Sequence, residues 1–259
     1  MRTETRGSWA TLPLAVQSFS LEDLPVNDVI KQAVRLGLRN IEFFHGHISP
    51  RSRQADVISL KKALNRAGVS IGAYGLHLFT SNHERNRRAF DFAILAGVKN
   101  ITAEVEQDAF DSLQRLVSEY NVRVAIHTSG PGSRYEKIET LTKDLKGKHK
   151  MIGVCVDTGH ILRAGGNPAL WIRELGDRVF VLHLTDVAQP TAQTFSAVLG
   201  KGHLKLSDVL ASLIHIGFPP DGCISIGYRG WSCARLMTPP GHPSDPLLAI
   251  SDSLHELVG

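Results

Sequence analysis

Cysteine is scarce in this 259-residue chain, with Cys155, Cys223 and Cys233 standing alone and no CxxC spacing among them. That excludes a disulfide framework and a cysteine-rich zinc module. A surplus of one charge sign is also missing. Lys and Arg number 29 against 25 Asp and Glu, and the resulting +4 is too small to mark a nucleic-acid binder. Near the start, the apolar run Leu12–Val16 is too short for a signal-peptide core or a bilayer span. No GxGxxG follows the first predicted strand, so the dinucleotide-binding fingerprint is absent. Linkers, internal repeats and low-complexity tracts are lacking as well. Residues 1–11 read as a tail, and 12–259 as a single domain of a soluble, cytoplasmic protein.

What the chain does have is apolar content, 42%, enough to build a sizeable core, and 12 histidines. Short β-branched runs alternate with longer amphipathic stretches. The runs are Leu14–Ser18, Asn40–Phe44, Val69–Tyr74, Asn100–Glu104, Val122–Ile126, Met151–Val156, Val179–His183 and Cys223–Gly227. Helices are predicted over 26–36, 53–67, 84–95, 107–119, near 167–174, over 206–215 and over 246–257, several of them closed by Gly. Strands apolar on both faces, each followed by a helix, predict a parallel sheet, and this count and length favour an α/β (β/α)8 TIM barrel. The stretch Met237–Pro243 reads as a surface excursion before the last helix.

A barrel of this kind carries its active site at the C-terminal ends of its strands. Seven of the 12 histidines fall there: His45, His47, His77, His127, His160, His183 and His203. His83, His149, His215, His242 and His255 read as surface residues. Glu42, Glu104, Asp157 and Asp186 share the same predicted rim. Asp157-Thr-Gly-His160 and His183-Leu-Thr-Asp186 are Asp/His pairs on neighbouring strand ends, able to surround one divalent cation. Mn2+, Zn2+, Co2+, Fe2+ and Mg2+ all stay open, with the imidazole content leaning away from Mg2+.

Four segments then point to a family. Ile41-Glu-Phe-Phe44, Val124-Ala-Ile-His-Thr-Ser-Gly-Pro131, Gly153-Val-Cys-Val-Asp-Thr-Gly-His160 and Val181-Leu-His-Leu-Thr-Asp186 resemble the sugar-phosphate isomerase/epimerase family. This is the xylose-isomerase-like TIM-barrel superfamily, which also includes endonuclease IV. Gly200-Lys-Gly-His-Leu-Lys-Leu-Ser-Asp208 is similar to its segment before the last helix. The resemblance spans about residues 12–230 and implies a divalent metal at the barrel mouth holding adjacent oxygens of a sugar or keto-sugar. Its ligands are a Glu, an Asp, a His and a Glu ending strands 5 to 8. Carried over, these become His127, Asp157 and His183, with Gly227 in the last position. Ser129 and Thr185 also depart from the pattern, Thr185 standing where the family has lysine.

Three N/O donors still suit a catalytic metal with an open position. Glu104 is the candidate fourth ligand or base, or else a rim carboxylate paired with arginine. His160 resembles the family's substrate-contacting histidine and joins Glu104 as a candidate catalytic residue. Arg163 is placed to meet an anionic group, His47 and His77 to line a sugar pocket walled by Tyr74 and Phe79, and Lys201 to act as cation or acid. The expected activity is a metal-dependent isomerase, epimerase or lyase forming an enediolate from a sugar, keto-sugar or polyol. The rival is a degenerate barrel that binds sugar or a partner without turnover, and an endonuclease IV-like nuclease ranks last. Small molecules are the expected partners, not nucleic acid or membrane, and homo-oligomerisation stays open.

Overall fold

The computed structural model describes residues 9–228 and 245–258. His242 and the expected surface excursion Met237–Pro243 lie outside them. Eight parallel strands close into a barrel: β1 (Leu14–Gln17), β2 (Asn40–Phe43), β3 (Ser70–Phe79), β4 (Asn100–Val105), β5 (Arg123–His127), β6 (Ile152–Asp157), β7 (Val179–Leu184) and β10 (Cys223–Ile226). Two-residue strands β8 (Asp186–Val187) and β9 (Ser196–Ala197) pair antiparallel in the loop after β7. Going round the barrel, β1 is hydrogen-bonded to β10 and to β2, so the sheet has no free edge. The protein is a single-domain (β/α)8 barrel.

Around it run α1 (Val26–Arg35), α2 (Gln54–Ala67), α3 (His83–Ala96), α4 (Phe110–Tyr120), α5 (Ile138–Leu145), α6 (Thr158–Arg163), α7 (Pro168–Leu175), α8 (Leu206–His215) and α9 (Pro246–Val258). Each long helix turns one apolar stripe onto the strands. In α4 the stripe is Phe110, Leu113, Leu116 and Val117, all buried, at the spacing of one helical face. Burying each such side chain contributes about 1.5–3 kcal/mol. Gly97 caps α3 at φ +82°, a conformation with no Cβ penalty only for glycine.

Two helices were not foreseen. α5 carries the buried repeat Ile138, Leu141, Leu145, and the six-residue α6 begins at once on Asp157, whose Oδ1 accepts the His160 N–H at 2.9 Å. β3 is longer than expected, reaching Phe79, with a register irregularity between Tyr74 and His77. Trp9, within the stretch read as a tail, is buried in the main core. No helix among the described residues is long and apolar enough to cross a membrane.

Candidate metal centre at the barrel mouth

Side chains alternate along a strand, so residues two apart share the barrel interior. One interior layer is small: Ala15, Ala73 and Ala125 lie with Cys155, Val181 and Cys223 in their own cluster. Two residues further along several of the same strands come Gln17, His127, Asp157, His183 and Ser225. Above them opens a cavity of about 360 Å3. Its walls include Phe19, Phe44 and Leu76, and its polar lining includes His45, His160 and Arg163.

Glu42 is the anchor of the floor. Only 3% exposed, its carboxylate accepts the Thr102 hydroxyl at 2.8 Å, the Ser225 hydroxyl, and His183 Nε2 at 3.0 Å. Burial alone would raise its pKa, but the His183 charge and the three hydrogen bonds hold it below the ordinary value. His183 is shifted the other way. Burial works against its charged form, yet Cys155, Glu42 and Asp157 hold its pKa well above the usual 6.5. Asp157 sits well below the carboxylate range, because His160, His127 and His183 outweigh its burial. Its Oδ1 also accepts the Thr185 hydroxyl at 3.1 Å.

The donors fit a divalent ion. Asp157 Oδ2 is 3.5 Å from His127 Nε2 and 3.6 Å from His183 Nδ1. Those separations are long for hydrogen bonds and close to the ~3.4 Å edge of a tetrahedron with ~2.1 Å bonds. His127 Nδ1 is buried and has no hydrogen-bond partner among the described residues. Two donor groups converge with all ligand atoms within 4.8 Å of one another: His127, Asp157 and His160, and His127, Cys155 and His183. Of the expected trio, His127 and His183 each approach Asp157, but the three together are not one of the converging sets.

The other expected site residues divide. His160 and Arg163 line the cavity, whereas Glu104, His47, His77 and Lys201 are not among the described residues that do so. Glu104 is exposed on β4. His47 places Nε2 2.9 Å from the Leu24 carbonyl and packs its ring on Phe44. His77 packs against Phe79 with ring centroids 4.7 Å apart. Lys201 is 61% exposed and paired with Glu256. Tyr74 and Phe79 are buried in the core, and Phe19 and Phe44 supply the aromatic wall in their place.

Asp186 needs correction. It was expected to form a second Asp/His pair at the ion, but its two oxygens accept four backbone N–H groups, from Val187, Gly200, Gly202 and Leu204. It organises a loop. Gly227 lines the cavity, and Gln17 reaches over it. A Cβ there would lie 2.5 Å from Gln17 Oε1 and 3.2 Å from Thr185 Cγ2. Gln17 and Cys155 are given no site role by the sequence, and Glu42 only a place among the rim carboxylates. Parity along each strand was the available signal, since Cys155 is two residues from Asp157 and Glu42 two from Asn40.

A closed parallel barrel with imidazoles and a carboxylate clustered at its C-terminal mouth defines a class of barrels able to hold a metal there. The family follows from the sequence: residues 30–245 match the xylose isomerase-like TIM barrel family, and the chain belongs to it. Among solved structures, it is similar to the probable 3-DHS dehydratase AsbF involved in petrobactin synthesis from Bacillus anthracis. That likeness has a TM-score of 0.74 at 12% identity and covers 94% of this chain and 99% of that one. It is also similar to the IolI protein with a bound zinc atom, with TM-score 0.73, 15% identity and coverage of 95% and 98%. A third is mannonate dehydratase from Streptococcus suis serotype 2, with TM-score 0.68, 12% identity and coverage of 95% and 94%. At these identities the likeness is one of fold. No curated protein matches the sequence.

Proposed function

We propose that the protein is a metal-dependent isomerase, epimerase or lyase acting on a sugar, keto-sugar or related polyol. One observation carries the reading: the buried Asp157 carboxylate has two imidazoles at 3.5 and 3.6 Å, at the floor of a cavity sized for a small polar molecule. His127, Asp157 and His183 are the residues that would hold the ion, with identity among Mn2+, Zn2+, Co2+ and Fe2+ open at this level. A bound divalent ion supplies Lewis acidity toward a carbonyl or hydroxyl oxygen.

The chain's own residues do the rest. Glu42 holds His183 by Nε2, which fixes the ring and turns Nδ1 toward Asp157. With Glu104 outside the cavity lining, proton transfer at carbon falls to His160, whose ring lies 5.5 Å from that of His127. Arg163 is positioned for an anionic substituent. Phe19, Phe44 and Leu76 cover the apolar face of the substrate and exclude water. The zinc in the IolI protein and the dehydratases among the structural neighbours support this chemistry. A cytoplasmic location accompanies this reading.

The second reading, a barrel that binds without turnover, is favoured by Gln17 filling the space over Gly227. Two measurements separate them. Elemental analysis of the purified protein should find metal, lost in Asp157→Ala and His183→Ala. Incubation with a panel of aldoses, ketoses and sugar acids in D2O should place solvent deuterium at a carbon beside the carbonyl. Metal retained in both variants removes this site from consideration. Metal-free protein that binds sugar regardless of chelators establishes the binding barrel.

A further inference from the structure

We infer that the Cys155 thiolate is a donor to the ion at the barrel floor, together with His127 and His183, so that the site selects a thiophilic cation such as Zn2+ or Co2+ over Mn2+ or Mg2+. The inference rests on the metal reading above and adds to it a donor and a class of ion. Softer sulfur donors favour Zn and Co, whereas all-oxygen sites suit Mg and Mn.

Cys155 is on β6, two residues before Asp157, and therefore on the same inward face. It is fully buried. Its sulfur and one ring nitrogen from each of His127 and His183 all lie within 4.8 Å of one another. An ordinary core thiol behaves as a small hydrophobe and needs no such neighbours. Cys223 is the comparison within this molecule: it is equally buried, but its sulfur meets the Ser225 hydroxyl at 3.3 Å and joins neither donor group.

The two imidazoles supply the second, independent observation. The His127 side chain is only 9% exposed and presents Nε2 to Asp157 Oδ2 at 3.5 Å, with the ring centroids of His127 and His183 5.0 Å apart. His183 is committed through Nε2 to Glu42, the carboxylate–imidazole arrangement that orients metal-binding histidines, which leaves Nδ1 for the ion.

On binding, the Cys155 S–H bond breaks, the proton leaves to solvent and a sulfur–metal bond forms, with no change of oxidation state.

The test is cobalt substitution of the full chain, read by absorption. Wild type should bind one Co2+ per chain, with visible d–d bands and a near-ultraviolet sulfur-to-cobalt charge-transfer band. Cys155→Ser should lose the charge-transfer band but keep the d–d bands, while Cys223→Ser and Cys233→Ser keep both. Its zinc affinity, measured by chelator competition, should fall at least about tenfold, since even outer-shell losses cost 10–100-fold. Cobalt bound without a charge-transfer band in wild type overturns the Cys155 assignment and leaves the metal reading standing. No cobalt bound at all overturns both. Should Cys155→Ser fail to fold, Cys155→Ala serves in its place, and the wild-type band alone decides whether sulfur is a donor.

Discussion

Replacing Asp186 by Asn is the perturbation whose size the structure defines best. The residue is 1% exposed. Oδ1 accepts the N–H groups of Val187 and Leu204, both at 2.8 Å, and Oδ2 those of Gly200 and Gly202, both at 3.1 Å. An Asn offers one oxygen and, in place of the other, an NH2 that faces two N–H donors. Two backbone donors are then left without an acceptor, at about 1–3 kcal/mol each, and the two surviving bonds lose their charge assistance. We expect a loss of about 4 kcal/mol in urea unfolding. For a chain of this size that corresponds to a fall in Tm of roughly 10 °C. Hydrogen exchange should show the Gly200, Gly202 and Leu204 amides losing protection ahead of the barrel strands. Metal content should be unchanged. A stability loss under about 1 kcal/mol would refute the count of unsatisfied donors, and loss of metal would return Asp186 to the ion.

Three further outcomes follow from other residues of the barrel. Glu42→Ala removes the acceptor for His183 and for two buried hydroxyls, and should cost about 3–5 kcal/mol in urea unfolding, as breaking a buried pair does. Glu42→Gln should cost clearly less, and equal losses would show that packing, not the polar network, carries the effect. Burial, reinforced by the Arg85 and His45 charges, lowers the His77 pKa to about 4. The unfolded ring near 6.5 then binds the extra proton, so stability is full above pH 6.5 and drains as pH falls toward 4. Each pKa unit is worth about 1.4 kcal/mol, discounted to about 2 kcal/mol in all for a ring only partly buried. His77→Phe should flatten that limb of the stability curve, and an unchanged slope would assign it elsewhere. Finally, Gly227→Ala should lose about 1–3 kcal/mol by crowding Gln17, and Gln17→Ala in the same chain should recover most of it. Additive losses would mean that Gln17 does not fill the space.

The barrel was legible because its strands are apolar on both faces: all six residues of β6 are buried, and six of six in β7. The approach of His127 and His183 to Asp157 was legible too, since each stands at or near a strand end. Helix α5 was overlooked because its three apolar residues lie between a Gly/Ser/Pro loop and a run of lysines, where charge masks the repeat. Which rim residues point inward was harder. Parity along β1, β2 and β6 selects Gln17, Glu42 and Cys155, but three register irregularities offset neighbouring strands, between Ile41 and Glu42, Tyr74 and His77, and Val154 and Cys155, the first two adding a residue on β3. Such irregularities re-aim side chains and leave no mark in the residue types. They account for the distance between an expected pocket of His77, Tyr74 and Phe79 and the observed one.

The polar floor is carried by strands, and much of the wall above it by connecting segments. Glu42, Thr102, His127, Asp157, His183 and Ser225 all belong to hydrogen-bonded strands of the closed sheet. Phe19, Phe44, His45 and Arg163 do not. Evolution can therefore exchange the wall, and with it the shape of molecule admitted, without detuning the chemistry beneath. The converse change is costly: a substitution in the floor must be answered by a neighbour on another strand, as Gln17 answers Gly227. Compensation across strands, and not retention of any one motif residue, is then the signature by which relatives with the same altered floor would be recognised.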